Sequence, residues 1–171
     1  MSFFARTRRG ESIARRIGGL LRPSCFLEGE NYVPGQDRTV VEFRGWKFLL
    51  QICYDLRFPV FSRNNPDDAY DAIIYVANWP KPRIHAWRTL LQARAIENSS
   101  YVIGVNRVGL DGNNINYNGK SRIFNYKGER MDNFSINQPQ IEVHNFDKNQ
   151  LMKYRKKFPV LKDADRFSLH L

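Results

Sequence analysis

The chain has 171 residues and a mass of 20.1 kDa, a length that suits one domain with a sizeable core. Hydrophobic residues make up 42% and aromatic residues 13%, which excludes a globally disordered chain. No run of about 18 apolar residues occurs, so we expect no membrane-spanning helix. The two cysteines, Cys25 and Cys53, cannot form a disulfide framework, and no Cys/His cluster suggests zinc. The composition therefore predicts a soluble, intracellular globular protein without a metal site, for which we expect a cytoplasmic location.

The net charge of +10 is divided unevenly along the chain. Residues 1–24 carry six arginines and one glutamate, so this short segment holds half of the surplus. A basic domain rich in aromatic residues can bind nucleic acid electrostatically. Here the aromatic residues fall in apolar, strand-like runs, such as residues 41–43 and 46–50. We therefore expect these rings in the core, and no nucleic-acid partner.

Residues 1–25 differ in character from the rest of the chain. They are rich in arginine, contain no lysine, and include Gly18, Gly19 and Pro23. An organellar transit peptide, a disordered basic arm and a start foreign to the domain all fit such a segment. We favour the foreign start, and expect the folded domain to occupy residues 26–171.

From about Phe26 onward, strand and helix patterns alternate, which predicts an α/β fold. The apolar run Ala72–Ala77 has strand length and is typical of a strand covered on both faces. Between residues 84 and 98, Ile84, Trp87, Leu91, Ala95 and Asn98 recur at steps of three and four, which predicts a helix. The other predicted strands are 39–43, 46–52, 101–105, 121–126 and 140–145, followed by a basic helix at 148–157; residues 111–119 are predicted to form a loop.

Cys53 is the most informative single position in the sequence. It follows an apolar strand and precedes a predicted turn, where a side chain is exposed. The backbone N–H groups that follow such a residue can point at a developing oxyanion. A cysteine nucleophile and a buried structural cysteine both remain open on strand position alone.

The segment 52–59, Ile-Cys-Tyr-Asp-Leu-Arg-Phe-Pro, resembles the nucleophile motif of the nitrilase, or carbon–nitrogen hydrolase, superfamily. The likeness continues in order through residues 75–80, 93–98, 106–109, 119–122 and 154–159. Within the superfamily the chain is most similar to the omega-amidase branch, which hydrolyses the distal amide of small 2-oxo acid amides. The resemblance implies an α-β-β-α sandwich, here lacking its N-terminal strands, and a homodimer that needs no cofactor.

The resemblance also implies a working set of a Cys nucleophile, a Glu general base, an oxyanion-stabilising Lys and a second Glu. The nucleophile maps to Cys53, and the backbone N–H near Tyr54 is an expected oxyanion donor. The second carboxylate maps to Glu28, for which an ordinary loop carboxylate is the alternative. Asn78 and Trp79 follow a predicted strand, where α/β proteins place ligand contacts; capping and packing are their alternatives.

The general base and the oxyanion lysine should lie upstream of Glu28, and here the sequence departs from the family pattern. No lysine precedes Lys47, and Glu11 is the only upstream carboxylate. A shifted reading frame or a wrongly chosen start would explain this departure, and the 171 residues alone are expected to be impaired. The alternatives are a non-catalytic remnant that pairs with a full-length homologue and, as the least favoured reading, a basic nucleic-acid-binding domain.

Arg57 and Arg107 could bind a substrate carboxylate bidentately. We favour structural ion pairs with Asp55 or Glu97 for both arginines. His85 is expected on the surface, without a catalytic role.

Overall fold

The computed structural model describes residues 38–165, so Glu11, Glu28 and the predicted boundary at residue 25 lie outside the described residues. Within this range the chain alternates strands and helices, and the predicted α/β class is confirmed. The strands are β1 (Thr39–Phe43), β2 (Trp46–Ile52), β3 (Ala72–Ala77), β4 (Tyr101–Asn106), β5 (Val108–Leu110), β6 (Asn116–Asn118) and β7 (Arg122–Phe124). The α-helices are α1 (Pro59–Ser62), α2 (Ile84–Asn98) and α3 (Lys148–Lys157), and short 3-10 helices span Cys53–Arg57, Pro66–Asp68 and Lys81–Arg83.

Five strands form a mixed sheet in the order β1-β2-β3-β4-β7. The central strands β2, β3 and β4 are parallel, whereas β1 and β7 pair antiparallel at the two edges. Ile52 pairs with Val76, and Val76 pairs with Val105, so the three parallel strands end at the same level. In α/β proteins this carboxyl edge is where ligands bind.

Apolar side chains cover both faces of the sheet, because successive residues of a strand point to opposite sides. On one face, α2 packs against β2, β3 and β4 through a core cluster that includes Leu49, Ile73, Trp87 and Leu91. On the other face, Leu151 of α3 packs with a second cluster of mainly aromatic residues, namely Trp46, Phe48, Tyr101, Tyr126, Phe146 and Tyr154. The near-continuous apolar sequence of β3 follows from this double covering.

Helix α2 approaches the sheet closely at Gly104. A Cβ built on Gly104 would lie 2.4 Å from a methyl carbon of Leu91 and 2.9 Å from the Trp87 ring. Trp87, Leu91, Ala95 and Asn98 are all buried, so the helical face expected from the sequence is the face that packs. The residue at position 104 must therefore lack a side chain for α2 to pack as it does.

The expectation that the aromatic runs belong to the core holds for some rings and is wrong for Phe43. Trp46 and Phe48 pack in the second cluster, but Phe43 is 60% exposed. Phe43 ends an edge strand, and the turn at Arg44 and Gly45 directs the chain back before any further element can cover it.

Two other expectations from the sequence are wrong in part or in full. Residues 111–119 contain β6, which pairs with β5 as a hairpin instead of forming only a loop. Residues 140–145 form no strand. Glu142 accepts the Asn133 N–H at 3.1 Å and lies 2.7 Å from the His144 ring, so local polar contacts hold this segment without ladder pairing.

The segment 140–145 should promote aggregation, because it exposes large apolar side chains beside unpaired backbone. Ile141 is 86% exposed and Val143 is 90% exposed. We expect the double variant Ile141→Thr, Val143→Thr to aggregate more slowly, with its free energy of unfolding changed by less than about 1 kcal/mol. Light scattering against time at fixed concentration measures the effect, and equal aggregation of variant and parent would contradict it.

Candidate active site

The residue that follows β2 has an unusual backbone conformation. Cys53 has a φ of 40°, in the left-handed region, and begins the 3-10 helix Cys53–Arg57, here called the Cys53 turn. A non-glycine residue in this region costs roughly 1–2 kcal/mol. Cys53 is half-buried and packs against the first core cluster, and its sulfur is a thiol rather than half of a disulfide. The surrounding structure must therefore stabilise this conformation.

Hydrogen bonds from both ends fix the Cys53 turn. The carboxylate of Asp55 accepts the Ile52 N–H at 2.9 Å, and the backbone carbonyl of Asp55 accepts the Phe58 N–H at 3.0 Å. From α2, the buried guanidinium of Arg94 donates through Nη2 to the Leu56 carbonyl at 2.7 Å. The turn is thus tied to the end of β2, to the start of α1 and to the middle of α2.

The Asp55 carboxyl group is only half satisfied. Asp55 is 6% exposed, and its Oδ1 is buried without a hydrogen-bond partner among residues 38–165. Burial raises the pKa of this carboxyl to about 7, and the hydrogen bond from Ile52 opposes the shift. Asp55 is therefore a titratable group near neutral pH, two residues after Cys53 in the chain.

The expected ion pairs of Arg57 and Arg107 with Asp55 or Glu97 are wrong. Glu97 pairs with Arg94 instead, at 2.9 Å from Nη1. The guanidinium carbons of Arg57 and Arg107 lie over aromatic rings. Planar guanidinium groups stack well on such rings, which explains the choice of partner.

Arg57 links two of the residues that the sequence placed at the site. Its guanidinium carbon lies 4.9 Å from the Trp79 ring centroid and 5.9 Å from the Tyr54 ring centroid. Trp79 follows β3 and is 3% exposed, and it also packs in the core cluster that Cys53 contacts. The structure thus brings Cys53, Tyr54 and Trp79 together, whereas Asn78 is exposed.

Asn106, at the end of β4, holds Trp79 in place. Its Oδ1 accepts the Trp79 N–H at 2.7 Å, while its Nδ2 donates to the carbonyls of Trp79 at 2.9 Å and Gly119 at 2.7 Å. Asn106 is 7% exposed, so the three hydrogen bonds are shielded from water. The sequence gives no indication of this role, although Asn106 lies at the end of an apolar strand, much as Asn78 follows one.

Replacing Asn106 should be costly. Asn106→Ala leaves one N–H and two carbonyls without their partner, and we expect the free energy of unfolding to fall by about 2–4 kcal/mol. Urea unfolding followed by tryptophan fluorescence measures the loss. Asn113→Ala, at an exposed position in the β5–β6 hairpin, is the matched control and should change stability little. Equal stability of the two variants would contradict the role of Asn106.

The β5–β6 hairpin carries Tyr117, which lies on the same side of the molecule as the Cys53 turn. Asp111 accepts the Tyr117 hydroxyl at 2.9 Å and the N–H groups of Asn113 and Ile115, also at 2.9 Å. Loss of hydration is the main cause that raises the pKa of Tyr117, followed by its hydrogen bond to Asp111 and the charge of Asp111; Arg107 opposes the shift, and ionisation of Cys53 adds to it. Tyr117 therefore lies close enough to Cys53 to interact with it electrostatically.

Residues 38–165 contain no group of three or more His, Cys, Asp or Glu side chains arranged to hold a metal ion. His85 is exposed, as expected from the sequence. None of the helices in the described range is long and apolar enough to cross a membrane.

Comparison with known proteins identifies the class to which this arrangement belongs. The carbon–nitrogen hydrolase family model matches residues 12–156. The chain is 50% identical over 139 residues to the omega-amidase YafV of Escherichia coli K12, a match that covers 81% of this chain and 54% of that protein. It is also 36% identical over 145 residues to a 2-oxoglutaramate amidase of Paenarthrobacter nicotinovorans, with 81% of this chain and 48% of that protein covered.

A solved structure supports the same assignment. The CN-hydrolase superfamily protein XC1258 of Xanthomonas campestris, described with an arsenic adduct in its active site, superposes with a TM-score of 0.78 at 40% identity. The match covers 85% of this chain and 58% of that one. The chain belongs to the carbon–nitrogen hydrolase family, and the resemblance to omega-amidases within it is confirmed. The chain spans about half the length of the curated relatives it matches, and the predicted domain boundary at residue 25 stays a prediction.

Proposed function

We propose that this chain supplies the cysteine nucleophile of an omega-amidase-like carbon–nitrogen hydrolase, which releases ammonia from a small 2-oxo acid amide. The observation that carries the proposal is the Cys53 turn. Its half-buried thiol follows β2 in a left-handed conformation, at the carboxyl edge of three parallel strands. The similarity to curated omega-amidases supports the substrate class.

The reaction proceeds by acyl transfer through a thioester. A carboxylate base takes the proton from Cys53, and the thiolate attacks the carbonyl carbon of the amide, which opens its C=O π bond. The tetrahedral oxyanion collapses, the C–N bond breaks, and the nitrogen leaves with a proton as ammonia. A water molecule activated by the same carboxylate then attacks the thioester, releasing the carboxylic acid and returning the proton to sulfur.

We assign the backbone N–H of Tyr54 as one oxyanion donor, because it follows the nucleophile in the turn. Trp79, held by Asn106, forms a wall of the substrate site, and Asn78 is proposed as an exposed polar contact at its rim. Glu28 stays the predicted second carboxylate. No residue before Lys47 is a lysine, so the proposed oxyanion lysine of the family chemistry is not among residues 1–46.

Ammonia release tests the proposal. We expect residues 1–171 alone to show little or no hydrolysis of a small 2-oxo acid amide. Loss of one oxyanion donor typically costs about 10² to 10³ in rate, and the family's general base has no matching residue here. Adding an amino-terminal fragment of the Escherichia coli relative should raise the rate if that fragment supplies the Glu and the Lys that the resemblance implies. Rapid turnover by the chain alone would contradict the proposal that catalysis requires an additional Glu and Lys. No turnover under either condition would favour the non-catalytic remnant.

The remaining assignments are proposals that rest on the resemblance: a homodimer, a cytoplasmic location and no nucleic-acid partner. The burial of Trp79, Trp87 and Tyr101 in the described range supports the last of these, because buried rings cannot stack on bases. Size-exclusion chromatography with light scattering tests the dimer. Salt-dependent binding of an oligonucleotide would contradict the absence of a nucleic-acid partner.

A further inference from the structure

We propose that Asp55 is the positioning residue of the nucleophile: by accepting the Ile52 N–H it holds Cys53 in its left-handed conformation. This inference rests on the proposed function of Cys53. It concerns a residue to which the reaction above gives no chemical step, and which acts through the backbone on either side of Cys53.

The hydrogen-bond pattern places Asp55 at the centre of the turn. Its side chain binds the N–H of the residue before Cys53, and its main-chain carbonyl binds the N–H of Phe58. The ring closed by the Ile52–Asp55 bond contains Cys53 itself, so a change in the φ of Cys53 would tend to separate the two atoms of this bond. Arg94 fixes the next residue, Leu56, and prevents the turn from moving as a unit.

Within the part of the chain that the structure describes, Oδ1 of Asp55 has no hydrogen-bond partner, which argues that this residue is not there for stability alone. A buried acceptor without a partner is unfavourable, and native structures retain few of them. An apolar side chain of similar size would avoid burying Oδ1 without a partner, but it could not accept the Ile52 N–H. The retained carboxyl group is therefore best explained by the geometry that it imposes on Cys53.

Alkylation of the two cysteines in one chain tests this inference without requiring turnover. The full 171-residue chain, with the amino-terminal fragment present as in the turnover assay, is treated with iodoacetamide at pH 7.5, and the rates at Cys53 and Cys25 are read by mass spectrometry of their separate peptides. We expect Cys53 to react faster in the parent. Asp55→Ala should lower the ratio of the rate at Cys53 to the rate at Cys25 by about 5- to 30-fold. This range is the fold-change that corresponds to the conformational cost of one left-handed non-glycine residue.

Asp55→Asn is the conservative variant, because its amide oxygen can still accept the Ile52 N–H. It should retain most of the parent ratio, which a role that depends on the negative charge of Asp55 would not allow. The control is Asn125→Ala, which opens another turn closed by a side chain, since Asn125 accepts the N–H groups of Lys127 and Glu129 at 2.9 and 3.0 Å. This control should leave the ratio unchanged.

The outcomes separate the two proposals. A fast Cys53 in the parent with an unchanged ratio in Asp55→Ala overturns the positioning role and leaves the proposed nucleophile intact. Equal rates at Cys53 and Cys25 in the parent overturn the proposed nucleophile, and the positioning role with it. If Asp55→Ala does not fold, as judged by circular dichroism, Asp55→Asn decides: a ratio that falls at least fivefold in a folded Asn variant overturns the positioning role.

Discussion

Replacing Cys53 by alanine is expected to lower ammonia release from a small 2-oxo acid amide by at least about 10³-fold, since removal of a covalent nucleophile leaves only residual catalysis. Cys53→Ser should be nearly as inactive, because a carboxylate base ionises a hydroxyl far less readily than a thiol. The rate is measured under the condition that gives the higher parent turnover, with the amino-terminal fragment present.

Cys25→Ala is the matched control for this experiment, because it removes the other thiol of the chain. It should keep the parent rate. A Cys53→Ala variant that releases ammonia within tenfold of the parent would contradict the proposed mechanism. A Cys25→Ala variant that is equally inactive would show that the assay reports a general effect of losing a thiol.

The second large effect concerns the pH dependence of stability at Asp55. Its pKa is about 7 in the folded protein against 3.8 for an ordinary aspartate, chiefly because of burial. Between these values the folded state holds a proton that the unfolded state has released. The contribution of Asp55 to stability is therefore fully present below about pH 4 and is lost as the pH rises through 7, by about 4 kcal/mol in total.

The variant Asp55→Asn carries no titrating group at this position, so it should lack this loss. We expect the free energy of unfolding, measured by urea at pH 4.5, 6 and 7.5, to fall more steeply with rising pH in the parent than in the variant. Tyr75, Arg94 and Glu97 share the electrostatic environment of Asp55 and are unchanged in both proteins. Parallel pH profiles for the two proteins would contradict the raised pKa of Asp55.

Asp111 provides a control of opposite sign. Hydrogen bonds, first that from the Ile115 N–H, lower the pKa of Asp111, so its stabilising contribution is lost only as the pH falls below the ordinary aspartate range. Asp111→Asn should therefore change the free energy of unfolding by the same amount at every pH between 5 and 8, so that the slope of the pH profile in this range stays that of the parent. A change of slope in that range would indicate an effect common to any Asp→Asn substitution.

The sequence predicted the central elements well, because their patterns are local. The steps of three and four residues between Ile84 and Asn98 define a helix whose bounds agree with the structure. The apolar run of β3 likewise predicts a strand covered on both faces, as observed. The predicted strand at 140–145 is wrong because its prediction rested on a local pattern alone. Polar and apolar residues alternate there as in a strand, but a strand also needs a neighbouring strand to pair with, which local sequence does not specify.

The site could be predicted only in outline. The position of Cys53 after a strand, together with the surrounding motif, was sufficient to select it as the candidate nucleophile. The roles of Asp55 and Asn106 could not be predicted, because they depend on hydrogen bonds whose geometry only the fold supplies. Asn106 is 27 residues from the Trp79 that it holds. The unpartnered Oδ1 of Asp55 has no signature in the sequence at all.

Site-resolved labelling with acrylamide is the most direct test of the central claim that Cys53 is the nucleophile. Acrylamide carries an amide group and adds covalently to thiolates. Trypsin separates the two cysteines into peptides 17–38 and 48–57, because cleavage after Arg22 is blocked by Pro23. We predict that the adduct forms first on peptide 48–57, and that a small 2-oxo acid amide slows this labelling but not that of peptide 17–38. Equal labelling of both peptides, unaffected by the amide, would contradict the assignment of Cys53.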